Sequence, residues 1–381
     1  MNGLMDRRQR GGRRSTPDAR GFSLIELLLA LALGLIVVTG IVQLFVGNSR
    51  SYGVMTGQAR LQENGRFALD LIARAARSAG FIGCTREPDA ILRGLVGNWD
   101  LIPEADISRP IMAYPAGATA AVVPRSSGGV DTNVFFRGAG IDTSRIPEQT
   151  DVVVFRSLRS PGARLAEVLQ PDGQPLIATA GGQAPVAVND VVAIANCEQA
   201  AVVRVTGVTQ SASSARLSFA AGGVTAANAA ASASRYVNAF ETLSPVGKAY
   251  GTDTLISPID TTYFFIAPGA AASSAPSAGT GNATQPPLAL WQKVGMAAPV
   301  ELVQGVEDLD VLLGLDNNLT DGVASATRYV TTGALVASQS GRVVSVRVSV
   351  TANSVDAVNE GAPLRRTFTR TIQLRNANPE A

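Results

Sequence analysis

Histidine is absent from the 381 residues. The commonest general base, the commonest metal ligand and every histidine-dependent triad are thereby excluded. Cysteine is nearly as scarce. Cys84 and Cys197 form neither a CxxC pair nor a Cys/His cluster, which argues against zinc. Only Lys248 and Lys293 among the 32 basic residues are lysines, a bias of genome composition on which no arginine-specific recognition is built. A net charge of +2 offers no argument for a nucleic-acid partner. P-loop, GxSxG and HExxH patterns are missing. The carboxylates Glu307, Asp308 and Asp310 lie close together, but on a strand they split between faces and read as a solvated edge. No catalytic constellation and no cofactor site emerges, so an enzyme is not expected.

Two further absences shape the start of the chain. No proline occurs between Pro17 and Pro88, and Glu26 is the only charge between Arg20 and Arg50. Leu27 to Val46 is an uninterrupted apolar run whose helical length, roughly 30 Å, matches the hydrocarbon core of a bilayer. The run follows Arg7, Arg8, Arg10, Arg13, Arg14 and Arg20, a bias that places residues 1–20 inside and everything after about residue 50 across the membrane. It is longer than a secretory h-region and lacks the small-x-small site that would follow one. A lone carboxylate at membrane depth costs a few kcal/mol unless paired, so Glu26 either has a partner or sits at the headgroup level.

The string Arg20-Gly21-Phe22-Ser23-Leu24-Ile25-Glu26, with the apolar run behind it, resembles the type III signal of type IV prepilins and type II secretion pseudopilins. The resemblance implies cleavage after Gly21 by a membrane-embedded prepilin peptidase, methylation of the new N-terminus at Phe22, and an assembly role for Glu26. The new ammonium would lie four residues from that carboxylate, where low dielectric strengthens opposite-charge pairing. From Arg60 the pattern becomes amphipathic. Leu61, Ala68, Leu71, Ile72, Ala75 and Ala79 share one helical face, Asp70 and Arg74 stand at i,i+4, and Gly80 is a plausible stop. Arg60-Leu61-Gln62-Glu63-Asn64-Gly65-Arg66-Phe67-Ala68-Leu69, followed by Gly80-Phe81-Ile82-Gly83-Cys84, is similar to the PilW family of minor pilins.

Beyond residue 80 the helical period gives way to short β-like runs. They are Asp151 to Leu158, Asp190 to Cys197, Ala201 to Val208, Arg216 to Ala220, Thr262 to Ala267, Leu288 to Val294 and Val306 to Leu315. The clearest is Arg342 to Val350, with valine at every second position, and Leu364 to Leu374 is expected to pair with it antiparallel. Residues 221–234 and 268–287 read as mobile surface loops. In an oxidising compartment Cys84 and Cys197 would form one disulfide; two buried free thiols are the alternative. Asp316 to Gly322 is oxygen-rich but lacks EF-hand spacing, and an Asx-rich turn is the better reading than calcium.

The expected fold is α+β: a prepilin leader (1–21), a long pilin helix (22–80) and an antiparallel β-rich exported domain (81–381) on which the helix packs. Residues 22–47 of the helix would be membrane or filament core, and 48–80 amphipathic. The resemblance implies a minor pilin that joins other minor pilins and the major pilin in an initiating or tip complex of a type IV pilus. Before assembly it would be held in the inner membrane with its C-terminal domain in the periplasm; afterwards it would be extracellular, supporting adhesion, twitching or DNA uptake. A type II secretion pseudopilin and a signal-anchored periplasmic binding or adhesive protein are the alternatives.

Overall fold

The computed structural model describes residues 23–83, 91–93, 95–97, 107, 109–115, 146–147, 149–159, 162–170, 174–179, 183–188, 190–198, 200–219, 236–238, 249–269, 287–295, 297–318, 323–335, 337–355 and 362–377. One helix, α1 (Leu24–Ser78), runs for 55 residues, about 80 Å at the α-helical rise. Glycine lowers helix propensity, yet at Gly34, Gly40, Gly47 and Gly53 nothing lies within 4 Å of where a Cβ would stand. The cost there is entropic and is outweighed by the apolar and helix-favouring residues between them. The chain divides after Met55 into two compact units, Met1–Met55 and Thr56–Ala381.

The helix ends as its glycines dictate. Gly80 takes a φ of +77°, which an L side chain resists, and its N–H donates to the Arg156 carbonyl at 2.8 Å. Asn376 donates its side-chain amide to the Ala79 carbonyl at 3.0 Å. Carbonyls left over at a helix end need such partners.

The strands in chain order are β1 (Ile91–Arg93), β2 (Leu95–Gly97), β3 (Ile111–Pro115), β4 (Asp151–Leu158), β5 (Ala163–Arg164) and β6 (Leu176–Ala178). Then come β7 (Val191–Ala195), β8 (Ala200–Arg204), β9 (Gly207–Gln210), β10 (Ser214–Ser218), β11 (Tyr236–Asn238) and β12 (Leu255–Pro268). The last six are β13 (Leu288–Val294), β14 (Val300–Gln304), β15 (Val306–Leu315), β16 (Arg328–Thr331), β17 (Val343–Asn353) and β18 (Arg365–Gln373). The largest sheet is built on β12, which pairs with β7 and β5 through its first residues, with β4 through its middle and with β13 through its end. A four-stranded sheet in the order β16-β15-β17-β18 completes the C-terminal part. Among the described residues pairing is antiparallel except between β1 and β8.

Strands β4, β13 and β15 have the ends expected from sequence, and β17 and β18 pair antiparallel with Val350 opposite Phe368 and Val346 opposite Ile372. The run Ala201 to Val208 is two strands. The chain turns at Val205 and Thr206, whose N–H groups donate to Asp190 at 2.9 Å and Ser218 at 2.8 Å. Strand β12 is longer than Thr262 to Ala267 because Pro258, which has no N–H, still accepts from the Arg159 N–H through its carbonyl at 2.8 Å. The sequence-predicted loops lie outside the described residues except at Pro268, Gly269 and Pro287, where the Gly269 N–H donates to Pro287 at 3.0 Å.

One apolar cluster joins the second part of α1 to both main sheets. Ala68, Leu69, Ile72, Ala73 and Ala76 meet Val346, Val348 and Val350 of β17, Leu309 and Leu313 of β15, and Phe155 and Phe264. The last two rings pack edge to face at 6.1 Å. Leu61 and Ala79 are buried too, and Leu71 and Ala75 are half-buried against the cluster, so the amphipathic face lies where its spacing put it.

The two main sheets are also tied by polar contacts at the start of β4. The Leu309 N–H donates to the Thr150 hydroxyl at 3.0 Å, and the Val311 N–H and Thr332 hydroxyl donate to the Asp151 carboxylate at 2.8 and 3.1 Å. Burial first, then the charges of Asp310 and Asp308, push Asp151 from 3.8 up to about 6 against the pull of those two hydrogen bonds. A carboxyl raised in the folded state binds its proton more tightly folded than unfolded. Stability therefore falls as pH rises from about 4 to 6, and the full penalty stands above 6. Asp151→Asn is expected to flatten that slope and to gain about 1 kcal/mol at pH 7 relative to pH 4, after discounting for solvent screening. Denaturant midpoints of the two proteins across that range are the measurement; parallel curves would refute it.

Candidate assembly surface

Between Leu24 and Phe45 every large apolar side chain is more than half exposed. Among the described residues this is the one helix long and apolar enough to cross a membrane, and none of its most apolar stretch is buried. Fifteen such side chains are involved. At about 1.5–3 kcal/mol each, their exposure to water would outweigh the whole stability of an ordinary domain, about 5–15 kcal/mol. The surface therefore needs lipid or other apolar helices around it. The Thr39 hydroxyl, the kind of polar group such surroundings penalise, donates to the Leu35 carbonyl at 2.7 Å.

Glu26 stands exposed in the first turn of α1, where the helix dipole favours a carboxylate. The Leu27 N–H donates to the Ser23 carbonyl at 3.1 Å, the first bond of the helix. Gly21 and Phe22, the cleavage and methylation residues expected from sequence, lie outside the described residues, as does Cys84. Cys197 follows β7.

The Arg60 to Leu69 string has a structural use that its period did not reveal. A Cβ on Gly65 would stand 2.3 Å from the Phe368 ring, so the helix backbone lies directly against β18 there, and any side chain must displace that ring. Asn64 donates to the Gln304 carbonyl at 3.1 Å, and Arg370 of β18 reaches Asp70 at 3.3 Å while Arg74 holds it at 3.0 Å from the same helix. Both arginines keep the Asp70 carboxyl below the usual range. The glycine amid helix formers was the available signal for close approach. The turn after the helix is likewise fastened, with Leu158 of β4 donating to the Phe81 carbonyl at 2.9 Å.

Asp316 is buried, and its two carboxylate oxygens accept from the Asn318 and Ser325 N–H groups at 2.9 and 3.0 Å. It closes its own loop as an Asx turn. Residues 319–322 of that segment lie outside the described residues. Glu307 pairs with Arg365 at 2.7 Å and accepts from Asn353, which makes it a structural contact between β15 and its neighbours.

A family model described as Type IV Pilus-assembly protein W matches residues 272–363, a segment containing β13 to β17. A second, described as Prokaryotic N-terminal methylation motif, matches residues 17–42. No curated protein and no solved structure matches the chain. The first match falls on strands of both main sheets and not on the Arg60 to Cys84 string that carries the resemblance in the sequence. The second covers the end of the basic leader and the exposed apolar surface as far as Val42. With a prepilin-type signal at one end and a PilW-type segment near the other, the chain is PilW-like, and its role lies in type IV pilus assembly.

Proposed function

We propose that the protein is a minor pilin, cut after Gly21 and methylated on Phe22, that joins other minor pilins and the major pilin in an initiating or tip complex. The observation that carries this reading is the wholly exposed apolar length of α1 with one carboxylate in its first turn. A membrane anchor alone needs the apolar length but has no use for Glu26. A subunit that leaves the bilayer for a bundle of helices needs both, since the apolar surface then packs against neighbours and Glu26 can meet a neighbour's terminal ammonium. The membrane holds the precursor with its C-terminal domain on the periplasmic side, and the assembled subunit is extracellular. Binding other helices requires no catalysis.

A bridge between Cys84 and Cys197 belongs to the same proposal. Its support is proximity: a Cβ on Gly83, the residue before Cys84, would lie 3.7 Å from the Ala195 Cβ, two residues before Cys197. Among the described residues no cysteine stands free.

Co-expression with a prepilin peptidase tests the processing. The expected product has lost residues 1–21 and carries one methyl group on Phe22, read by intact mass and N-terminal peptide mapping. A membrane-bound protein that keeps its Met1 start in the presence of active peptidase would overturn it in favour of a signal anchor.

A further inference from the structure

We propose that the free edge of β18, with the groove beside it, receives an extended acidic segment of another polypeptide as a fifth strand of the β16-β15-β17-β18 sheet. This surface belongs to the Thr56–Ala381 unit and does not rest on the apolar first half of α1.

Among the described residues strand β18 is the last in its sheet, and none of them pairs with its outer edge. The Leu374 N–H donates to Val344 at 2.9 Å and the Ser354 N–H to Leu364 at 3.0 Å. Through the register of the pair, these bonds place the main-chain groups of Arg366, Phe368, Arg370 and Ile372 toward β17. The N–H and C=O groups of Thr367, Thr369 and Thr371 therefore point outward. Their side chains are exposed, so no bulk blocks an incoming strand.

Between this edge and the helix lies an open groove of about 570 Å³ lined by Arg66, Phe67, Leu69, Asp70, Phe368 and Arg370. Its floor is apolar, and Phe67 is 47% exposed. Its rim is positive. The one lining carboxylate, Asp70, is engaged by Arg74 and Arg370. Exposed Arg66 has no ion pair among the described residues, and the Arg366 guanidinium lies 5.4 Å from the Phe368 ring centre. An added strand with an apolar side chain in the groove and carboxylates beside it would satisfy edge, floor and rim together. A second copy is a poor occupant, because pairing β18 with itself about a two-fold axis sets arginine-rich strands against each other. The arginines thus discourage indiscriminate edge pairing and select an acidic strand.

The test uses the detergent-solubilised full chain and a short fluorescein-labelled peptide of alternating threonine and glutamate around a central leucine. Anisotropy is expected to saturate with this peptide and to require at least tenfold more protein when lysine replaces glutamate. Thr369→Pro removes an outward N–H and keeps the main-chain bonds to β17, losing only the hydroxyl contact of Thr369 with Ser349 at 3.0 Å, and a loss of about tenfold is expected. Arg66→Glu should weaken binding of the acidic peptide similarly, with unchanged thermal melting. Absence of saturable binding, equal affinity for the two peptides, or indifference to Thr369→Pro in a folded variant each overturns the proposal. So does self-association of the chain abolished by Thr369→Pro, which would assign the edge to a second copy, or binding confined to anionic phosphatidylglycerol vesicles. The comparison of peptide charge needs no variant and decides the matter even if Thr369→Pro does not fold.

Discussion

Replacing Glu26 with valine is expected to leave cleavage after Gly21 intact and to reduce incorporation into filaments by on the order of a hundredfold. The peptidase reads the leader and the glycine, which the substitution does not touch. Assembly, on the proposed reading, brings the Phe22 ammonium of one subunit against the carboxylate of another within an apolar bundle. Removing one member of a buried ion pair strands the other and costs about 3–5 kcal/mol. Even the lower figure corresponds to about a hundredfold in an association constant. Glu26→Asp keeps the charge on a shorter side chain and should recover part of the loss, which a merely apolar requirement at this position would not predict. Immunoblots of sheared filaments against whole cells provide the measurement. Normal incorporation of the valine variant would sink the register argument while leaving the processing result standing.

The second large effect concerns the cysteines. A bridge from Cys84 to Cys197 closes a loop of about 114 residues, for which loop-closure entropy gives about 4–5 kcal/mol of stabilisation. That is a large fraction of the stability of a typical domain. The Cys84→Ser, Cys197→Ser double variant is expected to unfold at a markedly lower denaturant concentration, and reductant should bring the parent protein to the same midpoint without affecting the variant. Alkylation followed by mass spectrometry checks the bond itself. Ready labelling of both thiols in unreduced, exported protein would favour the buried-thiol alternative.

Much of this architecture was legible because its determinants are local. The apolar run, the absence of proline up to Pro88 and the valines at every second position of β17 each specify an element through a period that neighbouring residues share. Strands β4 and β13 were visible for the same reason. What escaped depends on partners distant in sequence. The length of β12 is set by β7 and β5 pairing on the near side of Pro258, and the tolerance of that proline comes from a carbonyl bond to Arg159. A glycine inside a helix shows in the sequence only as lowered helix propensity, whereas the use of Gly65 is to admit the Phe368 ring. The contact between Asp70 and Arg370 joins residues 300 positions apart, so the i,i+4 pair with Arg74 was apparent while the tie to the sheet was not. At the candidate site, Glu26 stood out because it is a single charge in an apolar run. The β18 edge did not, because an edge is a property of sheet order and not of a strand's own sequence.

The way α1 is fastened has a mechanical consequence. From Gly57 to Ala76 the helix is held along several turns at once, by the buried stripe and by Asn64, Asp70 and the Asn376 amide at its end. A pull along the helix axis loads these contacts in parallel, as shear, and they share the tension. A pull perpendicular to it would break them one after another, as a zipper opens. The same set of weak interactions is thus strong in one direction and weak in the other, and the strong direction is the axis of the helix itself.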